Sequence, residues 1–259
     1  MVSRWWQSIT TDFPTTPDRN KRAYSKLKSA IALAVEYGYL QTNPVQVQAA
    51  RKRAPSKRKS LPTTAELQAI LDQVADRFKL GVCLCLFHGL RVGEMLALQA
   101  KHFEATVGGG IGIRIEGNLQ RVPNGRGGVM MKWQPPKTEA GYRVVPVLAE
   151  FLPLVRRHLK TFTTAPEDYA TTTAKGKMMM DTSFRSVFNR ARDKANVDPE
   201  ITPHYGRNWL ITRLAEAGAT PKEIGRILGQ EDVSTIVGVY MRVREQRPSD
   251  LMKKIKTQD

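Results

Sequence analysis

Residues 87–98 read Phe-His-Gly-Leu-Arg-Val-Gly-Glu-Met-Leu-Ala-Leu. A turn at Gly89 opens an amphipathic helix whose first turn contains Arg91. A cation there opposes the helix dipole unless an anion lies between them, and a phosphate would accept hydrogen bonds from the guanidinium and from the helix amides. Glu94, three residues on, could hold Arg91 on the same face. The stretch therefore predicts an anion-binding helix start, although Arg91 taken alone is also compatible with an ordinary surface arginine.

Two later segments carry side chains suited to phosphate chemistry. Residues 202–209 predict a second helix start, with His204 and Arg207 three residues apart on one face. A histidine that exchanges a proton near pH 7 beside a fixed cation suits phosphoryl transfer. Residues 228–240 read Leu-Gly-Gln-Glu-Asp-Val-Ser-Thr-Ile-Val-Gly-Val-Tyr and end on Tyr240, which by itself is a packing residue with a polar tip. Each segment alone is a weak signal.

The composition is that of a folded and strongly basic protein. The 259 residues include 41 Lys and Arg against 24 Asp and Glu, a net charge of +17, and 41% are hydrophobic. Residues 1–60 hold 12 of the basic and three of the acidic residues, so more than half of the excess lies in under a quarter of the chain. Such a field attracts polyanions, and nucleic acid is the commonest of these.

The sequence favours neither a membrane protein nor a disulfide-rich protein. The sequence has no signal-peptide apolar region and no run near the ~20 apolar residues of a membrane span. We therefore expect a cytoplasmic protein that does not bind membrane. Cys83 and Cys85 lie in an apolar run and predict buried thiols in a reducing compartment rather than a disulfide or a zinc site.

The period of the apolar residues predicts an α+β fold that is mainly helical, with one small antiparallel sheet. A capping-box pair at Thr63 and Glu66 marks the start of the larger domain. The predicted strands are 111–115, 129–133 and 142–147, and the predicted helices are 20–40, 64–77, 79–88, 91–99, 148–160, 183–196, 204–217, 221–228, 232–240 and 249–256.

A basic run separates the two parts of the chain. It contains six cations and no acid, and they are Arg51, Lys52, Arg53, Lys57, Arg58 and Lys59. A solvated charge run is one interpretation, but a linker between two domains of a DNA-binding protein can lie along phosphates. We therefore predict a helical part over 1–47, a DNA-contacting linker over 48–62 and a main domain over 63–259.

Taken together, the motifs resemble those of the tyrosine recombinase (phage integrase) family. Its signature is an Arg box, a Lys on a hairpin, His-x-x-Arg, Leu-Gly-His and then a nucleophilic Tyr. The similar stretches here are 88–98, 136–146 with Lys137, 204–207, 228–230, and Tyr240. The resemblance covers roughly residues 60–245 and implies the family's catalytic domain, preceded by a short helical segment of a core-binding domain.

The resemblance implies DNA cleavage in which a tyrosine replaces water as the nucleophile. Tyr240 would attack the phosphate and become a 3′-phosphotyrosine, while Arg91 and Arg207 would hold the non-bridging oxygens. Lys137 would protonate the leaving 5′-hydroxyl as general acid, and His204 would accept the tyrosine proton or bond the phosphate. No cofactor, metal or ATP is implied, since the covalent link conserves the energy of the phosphodiester.

The sequence departs from the family pattern at several positions. Gln230 stands where the family most often has His, and its amide can donate to a phosphate oxygen but cannot carry a proton. The spacing from there to Tyr240 is about one residue longer than usual, and Asn208 stands where His or Lys is commoner. Residues 1–47 are too few for the usual four or five core-binding helices, so we expect a reduced clamp or a chain that begins inside a longer protein.

The leading hypothesis is a site-specific recombinase, an integrase of a phage or mobile element. Its implied partners are double-stranded DNA with attachment-type sites and further copies of itself, in a tetrameric synapse. A type IB topoisomerase uses the same chemistry, and Gln230 leaves open a DNA-binding protein with impaired cleavage. The segment 246–259 could pack on a neighbouring protomer or on its own domain.

Overall fold

The structure is a computed structural model that describes residues 1–51 and 61–243. The chain divides into two compact units, residues 1–60 and residues 61–259. That division falls inside the stretch predicted to be a linker. None of the helices in the described ranges is long and apolar enough to cross a membrane.

The described part of the first unit is helical. It contains α1 (Val2–Asp12), α2 (Pro17–Glu36) and α3 (Gln48–Arg51). Its small core centres on Tyr24, whose hydroxyl donates to the Val45 carbonyl at 3.0 Å and accepts from the Val47 amide at 2.9 Å. The Trp6 ring of α1 packs edge-on to Tyr24, with the ring centroids 5.5 Å apart. Helix α1 is not among the helices predicted from the sequence.

The second unit is mainly helical with small antiparallel sheets, which confirms the predicted fold class. Its helices in the described residues are α4 (Thr64–Asp72), α5 (Asp76–Phe87), α6 (Val92–Ala97), α7 (Leu152–Phe162), α8 (Asp181–Lys194), α9 (Tyr205–Glu216), α10 (Pro221–Leu228) and α11 (Ser234–Val243). The predicted segment 249–256 lies outside the described residues.

Local capping explains several of these helix ends. The Thr63 hydroxyl accepts from the Glu66 amide at 3.2 Å, and the Glu66 carboxylate accepts from the Thr63 amide at 2.8 Å, which confirms the predicted capping box. Thr220 and Glu223 form the same box at the start of α10. Gly229 ends that helix in the left-handed conformation, at φ 63°, a backbone that glycine adopts without a steric cost.

The break between the predicted helices 64–77 and 79–88 lies earlier in the chain than expected. The expected helix 64–77 ends at Asp72, and α5 begins at Asp76. The backbone of Ala75 is extended, at φ −61° and ψ 144°, and the buried Val74 anchors the turn. Apolar periodicity continues across this turn because both helices face the same core, so the pattern alone places the end of the first helix too late.

The five strands in the described residues form two sheets, so the prediction of one sheet is wrong. Their ranges are β1 (Phe103–Ala105), β2 (Ile111–Ile115), β3 (Asn118–Pro123), β4 (Val129–Gln134) and β5 (Arg143–Pro146). Antiparallel pairing gives the order β1-β2-β5 in one sheet and β3-β4 in the other. The chain leaves the first sheet at Gly117, where the indole of Trp133 packs so closely that any side chain would collide with it.

Lys137 therefore does not lie on a hairpin turn, as the family resemblance implies. Strand β4 pairs with β3, whereas β5 pairs with β2, so residues 135–142 connect two different sheets. A short turn helix at Glu139–Gly141 lies within this connection. We call residues 135–142 the Lys137 connection.

The core of the second unit surrounds α5, in which every residue from Leu80 to Phe87 is buried. Burial raises the pKa of the Cys83 and Cys85 thiols, as expected for core cysteines. Gly206 at the start of α9 lies against the backbone of Cys85 and Leu86 at the end of α5, with no room for a Cβ. This contact fixes the start of α9 beside the turn that opens α6.

We expect Gly206→Ala to destabilise the second unit, because a methyl group there meets backbone rather than a movable side chain. Overpacking of this kind costs about 1–3 kcal/mol, and each kcal/mol lowers the melting temperature by roughly 2–4 °C in a domain of this size. Thermal unfolding followed by circular dichroism measures the change.

The matched control is Gly238→Ala in α11, where an added Cβ meets no atom of the described residues within 4 Å. This variant should unfold at the wild-type temperature or slightly above it, since alanine favours helix over glycine. Equal melting temperatures for the two variants would contradict the proposed close approach of α9 to α5.

Candidate active site

Arg207 is the most deeply placed of the predicted site residues, with 3% of its surface exposed. Its Nη1 donates to the Gly89 carbonyl oxygen at 2.8 Å. Its Nη2 donates to the Leu228 carbonyl at 3.1 Å and to Gln230 Oε1 at 3.2 Å. One guanidinium group thus joins all three sequence motifs, and these three acceptors are neutral oxygens.

Burial and nearby cations make this position costly for a positive charge. Desolvation, together with the charges of Arg91 and Arg143 and against the effect of Glu94, lowers the pKa of Arg207 to about 9. The guanidinium still carries its proton at pH 7. A buried cation that bonds to neutral carbonyls gains strongly from an anion brought beside it.

Arg91 lies at the N-cap of α6 and contacts Glu94 as predicted. Its backbone amide donates to Glu94 Oε2 at 2.9 Å, and its Nη1 donates to Glu94 Oε1 at 2.7 Å. The Arg91 side chain is 46% exposed. One side of the guanidinium is therefore held by a carboxylate while much of its surface stays open to a ligand.

Arg143 is the residue that sequence reasoning missed. Its Nη2 donates to Glu94 Oε2 at 2.9 Å, and the two side chains are 5% and 8% exposed. Burial alone would raise the pKa of Glu94, but Arg143 and Arg91 lower it below its ordinary value. The arginine in the predicted strand 142–147 was the available signal, but the sequence does not reveal its partner in α6.

An open cavity of about 740 Å³ lies beside these groups. Its lining residues include Arg91, Glu94 and Lys137, so the structure brings the first motif and the Lys137 connection to one site. Two further cations that the sequence analysis did not single out, Arg121 and Arg185, also line it. The cavity therefore presents several positive charges to one ligand.

His204 caps the start of α9, one turn before Arg207. The side chain as a whole is exposed, but partial desolvation of the imidazole and the charges of Arg207, Arg91 and Arg185 lower its pKa. The ring is therefore neutral at pH 7 and can accept a proton.

His88, at the head of the first motif, is a structural residue. It is buried, and its Nε2 accepts a hydrogen bond from the Leu148 amide at 3.0 Å. Desolvation lowers its pKa to about 4, so the ring is neutral at physiological pH. It joins the end of α5 to the segment that follows β5.

The sequence profile of the Phage integrase family matches residues 62–247. The chain belongs to this family. The match covers all three motifs and the Lys137 connection.

Several integrases and recombinases are similar to this chain. The integrase of Mycobacterium phage L5 is 26% identical over 232 residues, which cover 88% of this chain and 59% of that protein. Tyrosine recombinase XerD of Ralstonia nicotianae is 25% identical over 219 residues, covering 80% and 63%. The chain thus spans about three fifths of the length of these curated relatives.

Solved structures share the fold. The Tn1549 transposon integrase in complex with transposon right end DNA aligns with a TM-score of 0.77 at 21% identity, covering 97% of this chain and 84% of that one. Lambda integrase residues 75–356 bound to DNA align with a TM-score of 0.60 at 19% identity, covering 99% and 83%.

Gln230, the departure from the phage integrase pattern, is held by two hydrogen bonds. Its Oε1 accepts from Arg207, and its Nε2 donates to the Asp232 carbonyl at 3.0 Å. The bond to Asp232 fixes the amide so that its oxygen faces the guanidinium. One N–H of the amide remains for the predicted donation to a phosphate oxygen.

Tyr240 lies on α11, which packs against α9 and α10. The Tyr240 side chain is partly buried and packs against the main core. The packing of α11 on α9 thus connects Tyr240 with the helix that carries Arg207. Its role as nucleophile stays a prediction.

The predicted linker contacts lie almost wholly outside the described residues. These are Lys52, Arg53, Lys57, Arg58 and Lys59, and the same holds for the segment 246–259. The backbone of Arg51 ends α3. Within residues 1–51 and 61–243, no group of three or more His, Cys, Asp or Glu side chains is placed to hold a metal ion.

Proposed function

We propose that the chain is the DNA-cleaving part of a site-specific recombinase that forms a 3′-phosphotyrosine through Tyr240. The observation that carries this proposal is the buried guanidinium of Arg207, held by neutral oxygens near a cavity lined by Arg91 and Lys137. Such cations suit a scissile phosphate, whose negative charge must be stabilised in the pentavalent transition state.

In the proposed step, the Tyr240 Oη bonds to phosphorus and the bond from phosphorus to the 5′-oxygen breaks. His204 accepts the tyrosine proton, and Lys137 gives a proton to the leaving 5′-oxygen. Arg91 and Arg207 donate hydrogen bonds to the non-bridging oxygens. Attack of a 5′-hydroxyl on the phosphotyrosine reverses the step and rejoins the strand.

Two features of the site support this division of roles. The lowered pKa of His204 leaves its imidazole neutral at pH 7, as a proton acceptor must be. Gln230 bonds to Arg207 through its oxygen, so we infer that it orients the guanidinium and cannot replace a histidine as a proton carrier.

The partners belong to the same proposal. The structural neighbours include the Tn1549 transposon integrase and lambda integrase on DNA, and we extend double-stranded DNA with attachment-type sites to this chain. We propose a homotetramer on DNA, in the bacterial cytoplasm, that integrates phage or mobile-element DNA. The cations of residues 51–59 would track the phosphates without reading sequence.

The test is covalent capture on a nicked duplex from the end of the element that encodes the chain. The nick lets the short product strand diffuse away, so cleavage stops at the protein–DNA adduct. Wild type should form the adduct, and Tyr240→Phe should form none because it lacks the nucleophilic oxygen. Denaturing gels with labelled DNA measure the fraction of covalent complex.

Tyr39→Phe is the control, since Tyr39 is a surface residue of the first unit, 79% exposed. It should form the adduct at the wild-type rate. An unchanged adduct with Tyr240→Phe would exclude Tyr240 as the nucleophile. Rapid relaxation of plasmids of arbitrary sequence, without joining of two sites, would instead indicate a topoisomerase.

The pH dependence of cleavage tests the role of His204. Because the pKa of His204 is lowered, the imidazole should stay neutral as the pH falls through its ordinary value and become protonated only in more acidic solution. The wild-type rate should therefore fall at a pH below the ~6.5 of an ordinary histidine. Single-turnover adduct formation between about pH 5 and pH 8 measures this profile.

His204→Asn is the comparison variant, because asparagine keeps a hydrogen-bonding group but does not titrate. It should react more slowly and should lose the acidic decline. The same acidic decline in wild type and in His204→Asn would show that another group accepts the tyrosine proton.

A further inference from the structure

We propose that Arg143 is a positioning residue that holds the Lys137 connection in place for proton transfer to the leaving oxygen. The inference rests on the proposed function, in which Lys137 is the general acid. It assigns a role to a side chain that the mechanism above does not use.

The guanidinium of Arg143 joins three segments of the site. Its Nη2 donates to Glu94 Oε2 at 2.9 Å in α6, and its Nε donates to the Ile227 carbonyl at 2.9 Å near the end of α10. Its Nη1 donates to the Gly141 carbonyl at 3.2 Å, within the Lys137 connection. The segments that carry Arg91, Gln230 and Lys137 therefore share one anchor.

Arg143 acts from behind the site rather than on the substrate. Its guanidinium is already neutralised by the Glu94 carboxylate at 2.9 Å, whereas the acceptors of Arg207 are neutral oxygens, and Arg143 does not line the cavity that contains Arg91 and Lys137. A bound phosphate in that cavity would meet Arg91 and Lys137 but not Arg143. Its influence on cleavage must pass through the groups that it holds.

Close packing transmits the position of Arg143 to Lys137. Gly141 lies against Pro136, the neighbour of Lys137, with no room for a Cβ between them. The Gly141 amide also donates to the Thr138 carbonyl at 2.9 Å. The connection is thus folded onto itself around Lys137, and the Gly141 carbonyl is the point at which Arg143 holds it.

Arg143 and the Lys137 connection also pack closely against the residue that ends α10. A Cβ on Gly229 would lie 2.6 Å from Arg143 Nη1 and 2.9 Å from the Ala140 carbonyl oxygen. Gly229 directly precedes Gln230, the partner of Arg207. Arg143 therefore fixes the Lys137 connection against the part of the chain that orients the buried guanidinium.

A substrate whose leaving group needs no proton can distinguish a role of Arg143 in proton transfer from a general effect on folding. In a 5′-bridging phosphorothiolate the scissile oxygen is replaced by sulfur, which leaves as a thiolate without a general acid. We would measure single-turnover adduct formation on the ordinary and the phosphorothiolate duplex. The proteins are wild type, Lys137→Ala and Arg143→Lys, with their folding checked by thermal unfolding.

Arg143→Lys keeps a positive charge for Glu94 but cannot reach all its acceptors at once. We expect it to cleave the ordinary duplex at least about tenfold more slowly, a part of the ~10²–10⁴-fold that general acid catalysis supplies. On the phosphorothiolate it should react within about threefold of wild type. Equal losses on both duplexes, or no loss on either, would overturn the proposal.

Gly141→Ala provides a second variant that leaves the buried charges in place. Its methyl group would collide with Pro136, and the resulting distortion of the Lys137 connection should produce the same selective loss. The matched control is Arg114→Lys on the neighbouring strand β2, where the arginine is partly exposed and pairs with Glu104 and Glu116. This control should cleave both duplexes at wild-type rates.

A double variant distinguishes failure of this inference from failure of the proposed function. If Lys137→Ala is not rescued by the phosphorothiolate, then Lys137 is not the general acid. The double variant Lys137→Ala/Arg143→Lys still tests Arg143. If Arg143 acts through Lys137, replacing it should cause no further loss of rate once Lys137 is already alanine. Additive losses in the double variant would overturn the role of Arg143.

Discussion

The buried carboxylate of Glu94 is the contact on which the arrangement of the site depends. It accepts from Arg143 at 2.9 Å and from Arg91 at 2.7 Å, and these cations lower its pKa despite its burial. An ion pair at this depth adds little net stability, but removing one partner is strongly destabilising, by about 3–5 kcal/mol. The pair therefore fixes the relative positions of α6, β5 and α10.

The site contains more positive charge than the carboxylate of Glu94 neutralises. Arg207 bonds to carbonyl and amide oxygens, and desolvation with the charge of Arg91 lowers its pKa. Glu94 neutralises Arg143 and steadies Arg91, so Arg207 gains most from an incoming anion. A phosphate in the cavity would relieve the repulsion between these cations. This electrostatic stabilisation would be largest when negative charge develops in the transition state.

Local features of the sequence were predictable, and long-range ones were not. The capping boxes at Thr63 and Thr220 and the contact of Arg91 with Glu94 depend on residues three apart, so a sequence pattern is enough to find them. The chain passes from one sheet to the other at Gly117, which packs against Trp133 on β4. Glu94 and Arg143 are 49 residues apart, and nothing in the spacing of either residue identifies its partner. The same arginine bonds to the Gly141 carbonyl in the connection that carries Lys137.

The most direct test is the rate of adduct formation by Glu94→Gln on the nicked duplex, at a temperature where the variant is folded. Glutamine keeps the shape of the side chain but removes the charge that holds Arg91 and Arg143. We expect a rate at least about tenfold below wild type on both the ordinary and the phosphorothiolate duplex, because displacement of Arg91 removes a donor to the transition-state phosphate and the Lys137 connection moves with it. Cleavage at the wild-type rate by folded Glu94→Gln would contradict it.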